Sequence, residues 1–373
     1  MIYLDYSANT PVDPAVLEAF CKAEQMYIGN PNSTHCAGRA ACEEMARVTD
    51  HIAGLLGVEP AGIIYTSGAS ESNNLAIKGI AQASRNTGRH MISTVLEHAS
   101  VGGTLTALHQ QGWEVDLLDI QRDGTIDLEQ LGDLLRKDTI LVSVCAVDSE
   151  LGTVQPIRQI TEILEDFPNC RLHVDATQAI GKTELVMDGV DTMSIAPHKF
   201  YGLNGSGLLL KKSSVIIEPQ IHGGSSTTLY RSGTPALALA VSIEKALQLT
   251  LTQQEERIRC VRQLNEYLKT ALLHYPSVRI NSPEGAVPHI LNLSVQGLKG
   301  TVFQRVLSER GVCVSVKSAC SAEGTPSKAV FAVSGDRKNA LSSWRVSLSH
   351  LTTREELDEF LQVFDQCYKE LVP

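Results

Sequence analysis

The chain has 373 residues, 43% of them hydrophobic and 20% charged, with a formal net charge of −10, which predicts one large α/β domain or a large domain plus a smaller one. An acidic chain without a basic block repels phosphate backbones, so direct nucleic-acid binding is not expected. Nine cysteines, an odd number with no CxxC pair, argue against a disulfide framework or a zinc ribbon, and no apolar run reaches the ~20 residues of a membrane span.

Asp13-Pro14 predicts a helix start, with Asp as the cap and Pro at the first helical position. A helix follows over 15–26, then a Gly29-Asn30-Pro31-Asn32-Ser33 loop and a second helix over 37–56. Strands and helices then alternate. Strands are predicted at 63–66, 91–95, 113–118, 139–147, 171–175, 193–196 and 207–210, and helices at 70–83, 101–111, 127–136 and 157–165. Such alternation requires crossover connections and a mostly parallel, seven-stranded type of sheet covered by helices. Residues 234–272 read as helical. After Tyr275 the pattern mixes strands at 290–295, 312–316 and 344–347 with helices at 302–309 and 354–371. The expected fold class is α/β, with a large domain over 15–258 and a smaller α+β domain built from 1–14 and 259–373. Residues 1–6 lack the basic and apolar regions of a signal peptide, so a soluble, reduced, cytoplasmic protein is expected.

Six polar motifs sit mostly where strands end, the place where open α/β sheets bind ligands. Thr66-Ser67-Gly68-Ala69-Ser70-Glu71-Ser72-Asn73-Asn74 joins a strand to a helix, and its small residues suit either an anion at the helix N-terminus or plain capping. In His173-Val174-Asp175-Ala176-Thr177-Gln178, Asp175 closes an apolar strand, where a carboxylate needs a partner. A pyridinium N–H is one such partner, and a structural turn is another. Lys199, in Ala196-Pro197-His198-Lys199-Phe200-Tyr201-Gly202, follows a strand and is a candidate Schiff-base lysine or a surface residue. Arg231-Ser232-Gly233-Thr234-Pro235 reads as a polar loop. Cys320, in Ser318-Ala319-Cys320-Ser321, has Lys317 three positions before it, and a nearby cation raises the thiolate fraction. Arg345, inside the apolar run Trp344-Arg345-Val346-Ser347, wants a carboxylate from a substrate or from the chain itself.

In this order, and together with Tyr3-Leu4-Asp5-Tyr6, Gly29-Asn30-Pro31 and Glu97-His98, these motifs resemble the cysteine desulfurases, which are fold-type I, class V aminotransferase-like enzymes. The Cys320 stretch resembles the NifS/IscS-like branch. The resemblance implies pyridoxal 5'-phosphate as cofactor, L-cysteine as substrate, a homodimer and a sulfur-acceptor protein. By it, Lys199 binds the cofactor covalently and shuttles protons, and His98 stacks on its ring and acts as acid or base. Asp175 pairs with the ring nitrogen, and Gln178 and Asp148 lie near the ring oxygen. Ala69, Ser70, Ala196 and His198 lie at the phosphate, with Thr234 reaching it from the other subunit. Arg345 and Asn32 bind the substrate, and Cys320 takes its sulfur as a persulfide. No metal is implied.

The chain departs from the family pattern at several positions. Asp148-Ser149-Glu150 stands where Asn-Asn-Glu is usual, Ala196 replaces a serine, and Ser349-His350 replace a glycine and a basic residue. These changes predict a divergent member, slow or altered in substrate or sulfur acceptor. Two rival readings are another reaction of the same class V fold, such as an aminotransferase or a cysteine or selenocysteine lyase, and a poorly catalytic sulfur-relay protein.

Overall fold

The computed structural model describes residues 1–224, 226–317 and 324–372. In chain order the strands are β1 (Ile2–Tyr3), β2 (Ile63–Thr66), β3 (His90–Thr94), β4 (Glu114–Leu118), β5 (Thr139–Cys145), β6 (Arg171–Asp175), β7 (Thr192–Ile195), β8 (Gly207–Lys211), β9 (Val278–Ile280), β10 (Ile290–Val295), β11 (Val312–Cys313) and β12 (Ser343–Ser347). The α-helices are α1 (Pro14–Met26), α2 (Cys36–Leu56), α3 (Ala69–Ala83), α4 (Ala99–His109), α5 (Leu128–Leu134), α6 (Ile157–Leu164), α7 (Leu237–Thr252), α8 (Gln254–Leu272), α9 (Gly300–Glu309), α10 (Lys328–Ser334), α11 (Arg337–Ser342) and α12 (Arg354–Leu371). No helix among the described residues is long and apolar enough to cross a membrane.

The main sheet has seven strands in the order β2-β8-β7-β6-β5-β3-β4. All run parallel except β8, which is antiparallel to both β2 and β7. Strands β3, β5, β7 and β8 are buried along their whole length, as expected of strands covered by helices on both faces. The edge strand β4 instead exposes Glu114 and Asp116, charges that discourage edge-to-edge pairing. At the start of α1, Asp13 Oδ1 accepts the Ala15 N–H at 2.8 Å and Pro14 supplies a fixed φ, so the helix begins where the sequence predicts.

A second core contains Leu4, Leu293, Phe303, Trp344, Val346, Phe360 and Phe364, all fully buried. It packs around the antiparallel sheet β12-β10-β9, with Phe303 stacked on Trp344 at a centroid distance of 5.4 Å. The N-terminal segment joins this core, because β1 pairs in parallel with β11 and Ser347 N donates to Leu4 O at 2.7 Å. The α/β fold with a smaller α+β part is the one expected.

The differences are local. The helical stretch 234–272 breaks at Gln253 into α7 and α8. The strand expected over 312–316 keeps only two residues in β11, and Ser315 makes a single bridge to Arg345. Strands β1 and β9 and helices α10 and α11 have no clear signal in the sequence, because they are short, and β1 takes its partner, β11, from a distant part of the chain.

One close approach decides the shape of the β2–α3 turn. A Cβ at Gly207 would meet Gly68 Cα at 2.6 Å, and Gly68 itself has φ +151°. Gly207→Ala is therefore expected to lose about 1–3 kcal/mol in denaturant unfolding. Gly132→Ala, on an exposed helical position with nothing within 4 Å, is expected to be neutral or to gain about 0.5–1 kcal/mol.

Candidate active site

The carboxyl ends of β2, β5, β6 and β7 and the turn after β3 converge on a cavity of about 400 Å³. Each contributes polar groups at the place predicted for open α/β sheets. The β2–α3 turn brings Ser67 to Glu71, the turn after β3 brings His98, and the ends of β6 and β7 bring Asp175 and Lys199. From the second core come Arg345, on β12, and Ser7, which lies just beyond β1.

Lys199 closes a single 3-10 turn, Pro197–Lys199. Its Nζ donates to Ser7 O at 2.7 Å and Ala8 O at 2.6 Å. Two residues on, Tyr201 has φ +68°, a left-handed conformation that is strained for a bulky side chain. The surroundings hold it there. Tyr201 N donates to Thr10 Oγ1 at 2.8 Å, Tyr201 O accepts from Asp13 N at 2.9 Å, and its hydroxyl lies 2.6 Å from Ser349 Oγ.

Asp175 is 5% exposed, and both its oxygens accept hydrogen bonds. Asn73 Nδ2 donates to Oδ2 at 2.8 Å, and Thr177 N donates to Oδ1 at 3.0 Å. The same Asn73 amide donates to Ser100 Oγ at 2.9 Å, so its oxygen faces His173 Nε2 at 3.0 Å. That oxygen can only accept, and burial pushes His173 down to about 4, so the ring is neutral and carries its proton on Nε2. His173 Nδ1 then accepts from Thr192 Oγ1 at 2.9 Å.

The network continues to His98. Ser100 N donates to His98 Nδ1 at 3.2 Å, and Ser100 Oγ lies 2.9 Å from the same nitrogen. Nδ1 is therefore the acceptor, and the proton of the neutral ring sits on Nε2. Burial lowers the His98 pKa, the Asp175 charge opposes that shift, and Lys199 adds to it.

The β2–α3 turn is an anion cradle in form. Gly68 caps α3, and Ala69 and Ser70 occupy its first turn, where backbone N–H groups lack helical partners. Glu71 braces the cradle from outside. It accepts from Ser67 N at 2.8 Å and from Arg231 Nε at 2.9 Å. Burial works to raise the Glu71 pKa, but these hydrogen bonds and the Arg231 charge outweigh it and lower it. His198 lines the cavity, and burial, with Lys199 and Lys182, pushes it down to about 4. Ala196 lines the cavity as well, with no hydroxyl to offer.

Arg345 is 3% exposed. Its Nη2 donates to Asp5 Oδ1 at 3.0 Å and its Nη1 to Ser149 O at 2.6 Å, while Nε has no partner. The sequence left open whether a substrate or the chain would pair this arginine. Asp5 takes one side of the guanidinium, and the Nε edge is left over.

Gln178 lines the cavity and donates through Nε2 to Ser7 O at 2.9 Å. Asp148 does not line it. Its Oδ2 accepts from Glu150 N at 3.1 Å and from Leu151 N, which turns the carboxylate into its own loop. Burial, reinforced by Glu150, pushes Asp148 up to about 7. Asn32 is exposed and 3.5 Å from Ser226 Oγ, and Thr234 is exposed as well, and neither lines the cavity. Cys320 lies outside the described residues. Asn73 and His173, which sit inside the Thr66–Asn74 and His173–Gln178 motifs, and the buried Lys182 are site residues that the sequence does not single out.

Comparisons with known proteins agree along the length of the chain. Residues 2–360 match the family model described as Aminotransferase class-V. The NifS/IcsS protein homolog of Lactobacillus delbrueckii subsp. bulgaricus is 38% identical over 375 residues, covering 99% of this chain and 97% of its own. The cysteine desulfurase IscS of Klebsiella pneumoniae is 39% identical over 371 residues, covering 96% of this chain and 90% of its own. The solved structure of a NifS-like protein has a TM-score of 0.93 at 32% identity, over 99% of this chain and 100% of that one. With its parallel sheet, its second core and the site at their junction, this chain belongs to the aminotransferase class-V family.

Proposed function

We propose that this chain is a pyridoxal phosphate-dependent cysteine desulfurase that converts L-cysteine to L-alanine and passes the sulfur to Cys320 as a persulfide, and then to an acceptor protein. The observation that carries this reading is the convergence of Lys199, Asp175 and an anion cradle on one cavity. The names of the relatives support it over other class V reactions.

The residues present fit the cofactor. The cavity of about 400 Å³ offers a buried carboxylate, an amine, a neutral histidine and a helix N-terminus. Thr177 Oγ1 is buried there without a hydrogen-bond partner. Ala69, Ser70 and His198 would hold the phosphate, Asp175 the ring nitrogen and Gln178 the ring oxygen. Pyridoxal phosphate, when bound, supplies an electron sink that draws charge from the Cα of an amino acid.

The chain's own groups do the rest. Lys199 Nζ takes the Cα proton and later returns it. His98, neutral with its proton on Nε2, is placed to donate rather than to carry charge. The free Nε edge of Arg345 takes the substrate carboxylate, with Asp5 fixing the plane of the guanidinium. In the sulfur step the C–S bond of the substrate breaks and an S–S bond to the Cys320 thiolate forms. The carbon keeps the electron pair and gains a proton, so one cysteine and one thiol yield one alanine and one persulfide, with no outside oxidant. A homodimer would bring Thr234 of each chain to the other's cradle.

Cysteine turnover with paired detection of alanine and sulfide tests this reading. Lys199→Ala should lower the rate by more than about 10²-fold and abolish the visible absorbance of bound cofactor. Cys320→Ser should stop persulfide formation while leaving that absorbance intact. A Cys320→Ser protein that still released sulfide at the wild-type rate would mean another class V reaction.

Asp148 predicts a pH effect on stability. Its pKa rises from 3.8 to about 7 on folding, through burial first and Glu150 second, so the native state holds the extra proton within that window. Stability is therefore fully present below the unfolded value and is lost as pH rises through about 7. Asp148→Asn should gain stability relative to wild type between about pH 4 and pH 8. A residual slope of the same sign should remain from Glu97, which burial pushes up to about 8.

A further inference from the structure

Sharing Ser7 and Lys199 with the larger cavity is a second, much smaller one of about 20 Å³, room for one water or one monatomic ion. Lys182, Arg257, His289 and His350 line it, together with Tyr201 and Ser7. Among the described residues no carboxylate does. We propose that this cavity is a binding site for a chloride-sized inorganic anion, held by N–H groups of Arg257, Lys182 and His289.

Two of its lining residues carry buried nitrogens with no partner. Arg257 is 7% exposed, its Nε and Nη2 both donate to Gln253 Oε1, and its Nη1 is buried with no partner. His289 is 6% exposed, and its Nδ1 is likewise buried without a partner. Lys182 is 9% exposed and donates to Gln178 Oε1 at 2.5 Å, which engages one of the three protons of an ammonium group.

Charge points the same way. The Arg257 guanidinium lies 4.9 Å from the centre of the Tyr201 ring, and Lys199 lines the same cavity. The carboxylate that acts on Arg257 is that of Asp13, whose Oδ1 already accepts the Ala15 N–H at the start of α1. Buried cations without a counter-charge are costly, and a water molecule supplies no charge. Burial, with Lys199 and Arg345, pushes Lys182 down to about 7, as expected of a cation cluster short of one anion. The cavity is too small for sulfate or an organic acid, which gives the site its selectivity.

This proposal stands apart from the cofactor reading, and the cofactor-loaded protein keeps the phosphate cradle filled during the test. Crystals grown in bromide should show an anomalous peak between Arg257 and His289. In solution, chloride or bromide titrated against gluconate at constant ionic strength should raise Tm saturably, by about 2 °C. Arg257→Gln and Lys182→Met should each lose that rise. A bromide map with no peak in this cavity, or with peaks at the cradle alone, would overturn the proposal. So would a Tm that follows ionic strength whichever anion is present.

Discussion

A carboxylate at the inner end of a central strand is tolerated only when its oxygens are hydrogen-bonded, because losing water costs far more than one such bond returns. Asp175 meets that condition through Asn73 and the Thr177 amide, and much of the site's geometry follows. Asn73 has one acceptor and two donors. Spending both donors on Asp175 and Ser100 fixes the direction of the amide and the tautomer of His173. Ser100 in turn makes Nδ1 of His98 an acceptor. One hydrogen-bonded network thus runs from the buried carboxylate to a histidine in a different turn of the same cavity. Fully satisfied networks of this kind hold side chains more firmly than the separate bonds would.

The second constraint is the junction of the two cores. Ser7 O accepts both Gln178 Nε2 and Lys199 Nζ, and Ser7 N donates to Ser347 Oγ at 2.9 Å. The N-terminal segment therefore ties the amine of the main sheet to strand β12, the strand that carries Arg345. A shift between the cores would move Arg345 and Ser7 together. The cost is a concentration of cations at the junction, with Lys182, Lys199, Arg257 and Arg345 facing few carboxylates. Asp5 serves Arg345. Arg257 and Lys182 have no comparable partner among the described residues, and the anion proposed above answers that deficit.

The departures at Asp148 and Ala196 have different weights. Asp148 puts a carboxylate where the family pattern has an asparagine amide. Its carboxylate is turned into the amides of Glu150 and Leu151, so it shapes a loop and leaves Ser149 O to meet Arg345. Ala196 stays at the cavity wall and removes a hydroxyl, which leaves Ser70, His198 and the α3 amides as the cradle.

The sequence by itself determined the order along the chain of most strands and helices of the main sheet, the cap at Asp13, and the placing of Asp175, Lys199 and the Ser67–Ser70 turn at strand ends. These are local matters of periodicity, capping and apolar runs, which a few neighbouring residues decide. Tertiary structure alone decided that Asp148 turns away, that Asn32 and Thr234 stand outside the cavity of one chain, and that Asp5 pairs with Arg345. It alone revealed Asn73 and His173 as the props of Asp175, and gathered Lys182, Arg257 and His289 around one small space. The Asp5–Arg345 pair, the support of Asp175 by Asn73 and the gathering of Lys182, Arg257 and His289 depend on residues tens to hundreds of positions apart meeting in a buried place, where the cost of an unpaired polar group chooses the partner. No window of sequence contains that choice.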